Sequence, residues 1–374
     1  MTFRRRVVPT LAAGLLLFTA ACGGDDDDAG TDAEPVEETE TSEAPAEETE
    51  SSEAPAEETE STEAPAEETE STEAPAEETE SAEAGTVVVA DYYGEVEVPL
   101  DAERIVLTDN RLVRSFDDWG VELVAAPLEI FPDSISYQSN DDVADLGNHG
   151  EPNLETFVAA DPDLVFTGYR FSTFYEDITE LVPDATVVST DFDLDEADPV
   201  GPLVDQLLMA GAALGHEDEA QATVDELYAA IDAAKAAYDP SETVMGLITS
   251  GGDIGYVAPV NGRAIGPLFP VLGLTPAIEQ DGDSGHTGDD ISVEAIAAAN
   301  PDWIIVLDRD ASFADTLDVY TSAEEVLFGS EALANVTAIV EGNVVYLPAD
   351  FYLTEDVMAY TQVINDFADA VAAD

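Results

Sequence analysis

Residues 152–170 return as residues 291–309 at a constant offset of 139, without a gap: Glu155 answers to Glu294, Pro162 to Pro301, Asp163 to Asp302 and Arg170 to Arg309. Each copy has apolar residues at helical spacing, an Asp-Pro-Asp or Asn-Pro-Asp breaker, and then a continuous apolar run of the kind found in a strand buried on both faces. Each run ends on an arginine. A chain that uses this unit twice is constrained to two similar α/β halves. Ligands of open α/β sheets sit beyond the carboxyl ends of the strands, so two facing units bring Arg170 and Arg309 to one cleft.

The flanking patterns extend both halves. Residues 86–98 alternate as a hairpin around Tyr93-Gly94, and strands are expected at 104–108, 121–125, 164–167 and 186–189, with a loop carrying Arg111 and Arg114 after the first. From 202 to 238 the pattern is helical only, and Pro240 stops it. Strands resume at 244–249, 256–258, 303–307 and 344–347, and 355–371 reads as a closing amphipathic helix. The expected fold class is therefore α/β: two Rossmann-like lobes with parallel sheets, 85–201 and 240–374, joined by a long helix over 202–239, with the ligand cleft between them.

The first 84 residues are of another kind. Arg4, Arg5 and Arg6 precede an apolar stretch at 11–18 and the small residues Thr19-Ala20-Ala21, which reads as a secretory signal peptide over 1–21. Cys22 is the single cysteine, so no internal disulfide forms. Its position resembles a bacterial lipobox, with Thr19 where leucine is usual, and Cys22 is expected to carry the lipid. Residues 22–84 repeat an acidic, proline-containing ten-residue unit and hold no aromatic residue. Such a segment cannot bury a core and is expected to be a disordered tether.

Of 84 acidic residues 26 lie before position 85, leaving 58 against seven basic ones and a formal charge of −51 for the remainder. That balance excludes nucleic acid and anionic lipid surfaces as partners, and the scarcity of lysine reads as adaptation to high salt. No HExxH, Walker lysine or CxxC occurs. Residues 282–285 resemble a serine-protease nucleophile segment, with His149 and His216 upstream, but a βαβ pattern offers no scaffold for that triad. Three scattered histidines, His149, His216 and His286, make a poor site for bare zinc or manganese.

Four segments carry a more specific likeness: 147–170, 214–220, 286–309 and 346–353. Through them the chain, from about 104 to 374, resembles the extracytoplasmic iron-siderophore binding proteins of ABC importers with a rigid interlobe helix. It is most similar to their catecholate branch. The resemblance implies a non-enzymatic, monomeric receptor that holds a ferric siderophore as cargo, has no intrinsic cofactor, and hands the cargo to a permease with its ATPase at the outer face of the cell membrane. Arg170, Arg263 and Arg309 are then expected to hold the anionic ligand, although the spacing after Arg263 is one residue longer than the family's. His286 and Tyr352 are expected to complete the iron shell, and Glu155 and Glu294 to dock on the permease. Other readings stay open at this point: salt bridges for the arginines, a solvated His286, a packed Tyr352, helix-dipole partners for the two glutamates, and cobalamin or haem as the cargo.

Overall fold

The computed structural model describes residues 85–193 and 198–373. The signal peptide, Cys22 and the tether lie outside the described residues. In the N-terminal lobe a hairpin of β1 (Thr86–Asp91) and β2 (Gly94–Pro99) precedes β3 (Ile105–Leu107), β4 (Leu123–Ala126), β5 (Ala144–Asp145), β6 (Leu164–Thr167) and β7 (Thr186–Ser189). The last five form one sheet in the order β5-β4-β3-β6-β7, and each pairing is parallel. All residues of β3 and β6 are buried, which is why they read as unbroken apolar runs.

The C-terminal lobe contains β8 (Thr243–Ser250), β9 (Asp253–Val257), β10 (Thr275–Pro276), β11 (Asp289–Asp290), β12 (Trp303–Asp308) and β13 (Val344–Tyr346). Its order is β11-β9-β8-β12-β13, with β10 beside β8. Here the expectation of a parallel sheet needs a correction, because β8–β9 and β9–β11 run antiparallel. Gly251 and Gly252 both adopt positive φ, 62° and 87°, the conformation of a two-residue hairpin turn, so β8 folds straight back into β9.

The internal repeat is a structural one. Asn153 and Ser292 cap the helices Leu154–Ala160 and Val293–Ala299 by accepting from Thr156 and Ala295, and the helices end in left-handed Asp161 (φ 45°) and Asn300 (φ 47°). Asp and Asn are the side chains that best tolerate that conformation. Asp163 then accepts from the backbone N–H of Arg104 (3.0 Å) and Asp302 from that of Thr243 (2.7 Å), tying each unit to the strand before it. The offset of 139 therefore includes β3 and β8: Ile105 pairs with Leu164, and Val244 with Trp303.

The connection is two helices, Gly201–Leu214 and Glu217–Ala237, not the expected single long one. Gly215 breaks it at φ 74°, a usual left-handed helix stop. A side chain on Gly211 would meet the Ala220 Cβ at 2.6 Å, so the two helices touch closely at the break. Leu203, Leu207, Leu227 and Ile231 join an apolar core that runs from Ile105 and Phe166 of one lobe to Val244 and Trp303 of the other. Opening the lobes widely would expose this shared core, which makes the connection stiff. The closing helix begins at Val357, not at 355. Among the described residues no helix is long and apolar enough to cross a membrane.

Candidate functional site

Strand ends aim the arginines. After β6, a side chain on Gly168 would overlap Thr190 and Asp191, so only glycine lets the chain turn there. Tyr169 follows at φ 52° with its N–H on the Asp191 carboxylate (2.7 Å), and Arg170 comes next. After β12, the Asp308 carboxylate accepts from the N–H of Ala311 and Ala323 and from the Tyr320 hydroxyl, fixing the turn that starts at Arg309. Arg263 projects from a loop bent by Val260 (φ 72°) and Ala264 (φ 63°). The extra residue noted after Arg263 does not keep it from the other two.

The three meet on Tyr352, which the short helix Phe351–Thr354 presents almost fully buried. The guanidinium carbons of Arg170, Arg263 and Arg309 lie 5.2, 4.8 and 4.8 Å from its ring centroid, within cation–π range. Arg170 also donates to the Tyr352 carbonyl at 2.8 Å. His286 joins from its loop, with Nδ1 3.1 Å from Arg263 Nη1 and 2.9 Å from the Tyr352 hydroxyl. A guanidinium only donates, so Nδ1 is the acceptor there and the ring is neutral. Burial and the three arginines hold His286 below its ordinary pKa, and burial, Arg170 and Arg263 do the same to His149.

The Nε atoms of Arg170, Arg263 and Arg309, and Nδ1 of His149, are buried without a hydrogen-bond partner inside the protein. Buried unpaired donors are costly, so their convergence suits an acceptor-rich anion. The remaining described arginines are committed elsewhere. Arg104 donates to the carbonyls of Ala160 and Asp161, Arg111 to Asp109, and Arg114, on the helix Val113–Asp118 and not in a loop, to Asp356.

Two site residues were not foreseen, and a third was weighed for the cleft and set aside. Tyr169 accepts from Arg263 (2.9 Å) and donates to the Glu355 carboxylate (2.6 Å); burial, then Glu355, raises its phenol above the ordinary range and keeps it protonated. Glu355 also pairs with Arg263 and lies 3.8 Å from Arg170. His149 lies beside the first repeat, where it could line the cleft although a loop position is the favoured reading of the sequence, and it is close enough for Arg170 and Arg263 to affect its proton. Glu155 and Glu294 sit apart from the cluster, exposed in the first turns of the two repeat helices.

Arg263, Tyr169 and Glu355 line a cavity of about 230 Å³ with Phe192, Leu203 and Pro267. Phe313, packed against Tyr352, lines a groove of about 700 Å³ between 128–138 and 311–316. Tyr352 thus touches walls of both. The protease-like triad is not assembled: His216 stacks on Trp119 at 5.2 Å, and among the described residues no hydrogen bond joins Ser284 to a histidine. Nor do the described residues contain three His, Cys, Asp or Glu grouped to hold a bare metal ion.

One histidine prediction arises here. A depressed folded pKa means stability that is present above the unfolded value, about 6.5, and is lost as pH falls through the folded one. Histidine NMR titration should place His149 and His286 below about 6.5, and thermal stability should fall with acidification beneath that point. Replacing both with Gln should flatten that part of the curve; an unchanged slope would refute the assignment.

A family model described as periplasmic binding protein matches residues 105–351. The petrobactin-binding protein YclQ of Bacillus subtilis is 26% identical over 288 residues, 74% of this chain and 84% of that protein. Its crystal structure aligns at TM-score 0.65 and 22% identity over 76% of this chain and 98% of that one. The ferric-anguibactin-binding protein FatB of Vibrio anguillarum is 26% identical over 289 residues, 75% and 85% of the two chains. A TroA-like periplasmic binding protein structure from Xylanimonas cellulosilytica is 30% identical, with TM-score 0.64 over 75% of this chain and 92% of that one. With its two-lobed fold and a matching family model over most of its described length, this chain belongs to the periplasmic binding protein family.

Proposed function

We propose that the protein is an extracytoplasmic receptor that captures a ferric siderophore of catecholate type and delivers it to the permease of an ABC importer, without doing chemistry on it. The observation that carries this reading is the convergence of Arg170, Arg263 and Arg309 on Tyr352 with their buried Nε donors unpartnered. A ferric catecholate offers anionic oxygens to these donors and aromatic faces to the guanidinium planes. The relatives YclQ, a petrobactin-binding protein, and FatB, a ferric-anguibactin-binding protein, support it.

His286 and Tyr352 are proposed as iron ligands for a chelate that leaves two positions open, since imidazole and phenolate suit ferric iron. The two groups already adjoin, joined by a hydrogen bond of 2.9 Å between His286 Nδ1 and the Tyr352 hydroxyl that such ligation would replace. Quenching of intrinsic fluorescence by ferric catecholate, hydroxamate and citrate complexes tests the reading. Tight binding confined to the catecholates supports it, and equal or absent response to all three overturns it.

The lipid anchor is proposed at Cys22, with 1–21 removed, 22–84 as tether, and lobes at 85–201 and 240–374 about the connection at 202–239. Two or more acyl chains give firm membrane attachment. Cys22→Ala should move the protein from the membrane to the soluble fraction while leaving ligand affinity unchanged. Unaltered membrane fractionation would sink the anchor. The acidic surface and rare lysine suit a high-salt exterior.

A further inference from the structure

We propose that Glu355 is a displaceable internal anion: it occupies the arginine cluster when no ligand is bound, and so sets how much negative charge a ligand must carry to enter. The inference rests on the proposed capture of an anionic ferric complex at this cluster. Glu355 accepts from Arg263 Nη2 and from the Tyr169 hydroxyl, and its Oε1 lies 3.8 Å from Arg170 Nη2. The side chain is only 11% exposed. Among the described residues it is the only carboxylate paired with Arg170 or Arg263.

The backbone indicates that this placement is specific. Glu355 ends the helix Phe351–Thr354 in the left-handed conformation, φ 46° and ψ 33°, with its N–H on the Phe351 carbonyl. Glycine or asparagine is the usual residue at such a stop. Its partner Tyr169 is also left-handed, at φ 52°. Two touching side chains, both on strained backbone and both on the same guanidinium, are the pattern expected of a functional constraint.

Glu355 reaches only Arg263 and Arg170, while Arg309 pairs with Asp310 at 3.3 Å, and the Nε atoms of all three arginines remain without a partner inside the protein. A ligand with several anionic oxygens therefore outcompetes Glu355, whereas a neutral complex does not. The side chain has somewhere to go. It lines the cavity of about 230 Å³ that also holds Arg111, and Glu355 already acts on the Arg111 charge. A swing about its side-chain bonds keeps the displaced carboxylate near a cation.

The test compares the parent with Glu355→Gln, using ferric enterobactin as a polyanionic probe, ferrichrome as a neutral one, and sodium sulfate as a small dianion. The variant should bind ferric enterobactin about tenfold more tightly and ferrichrome no better. It should also gain a sulfate-dependent rise in melting temperature, against sodium chloride of equal ionic strength, that the parent lacks. Equal or weaker enterobactin binding with no gain in sulfate response would show that Glu355 is a fixed strut and overturn the proposal. A sulfate response unique to the variant, with enterobactin binding neither protein, would leave the internal anion standing and sink the catecholate reading instead. If the Gln variant does not fold, Glu355→Asp, which keeps the charge and shortens the reach, should show the same changes to a smaller degree; its absence of both changes would overturn the proposal.

Discussion

Replacing Arg170 and Arg309 together with Gln is expected to weaken ferric-catecholate binding at least a hundredfold, and to do so even in molar salt. Hydrogen bonds to charged groups contribute on the order of 1.5–3 kcal/mol each, and every 1.4 kcal/mol is about tenfold in affinity. The two arginines share Tyr352, so their effects will not simply add, and the lower end of the summed range is the safer expectation. The whole-protein field works against the ligand, because the region after the tether carries a formal charge of −51. At about 1 M salt the Debye length is roughly 3 Å, which removes that repulsion and leaves contacts only. Affinity of the parent should accordingly stay level or rise from low to molar salt. Arg104→Gln is the control, since Arg104 caps the end of a repeat helix through the Ala160 and Asp161 carbonyls, far from the cluster's contacts. It should leave the dissociation constant alone. Gln variants that bind like the parent, or a steep loss of affinity with added salt, would show that the anion site lies elsewhere.

What the sequence made legible was local or repeated. The strand over 164–167 matches its expected limits because burial on both faces leaves an apolar run with a sharp end, and that over 186–189 matches around its buried Val187-Val188. Arg170 and Arg309 were visible because the repeat aligns them at the ends of β6 and β12. Glu355 was hidden for a local reason. The apolar period of the closing helix extends back to it, while its backbone belongs to the preceding short helix, and period alone does not register a left-handed residue. Arg263 was ambiguous because its reach depends on positive φ at Val260 and Ala264, residue types for which no pattern rule anticipates that conformation. The antiparallel β9 was readable in principle, since Gly251-Gly252 between apolar segments is a hairpin signal. The break in the helical connection was carried by Gly215 in the same way.

Reversing Glu155 and Glu294 to Arg is expected to abolish uptake by cells while leaving the ligand dissociation constant unchanged. Both carboxylates are exposed, and both stand in the first turn of a helix whose cap, Asn153 or Ser292, is untouched by the change. Exchanging an acid for a cation at an exposed helix start loses about 0.3–1 kcal/mol and adds a repulsion of similar size, which the lobes should still tolerate. Neither residue contacts the arginine cluster through a hydrogen bond or ion pair among the described residues, so affinity has no route by which to change. A partner that recognises one acid on each lobe must present two cations at matching separation, and like charges set directly opposite each other across an interface cost several kcal/mol. One reversal should therefore reduce transport, and two should remove it. The connection, whose opening would expose the shared core, would keep the distance between the repeat helices nearly fixed, as such two-point recognition requires. Transport that survives the double reversal, with normal ligand binding, would reduce both acids to partners of their helix dipoles.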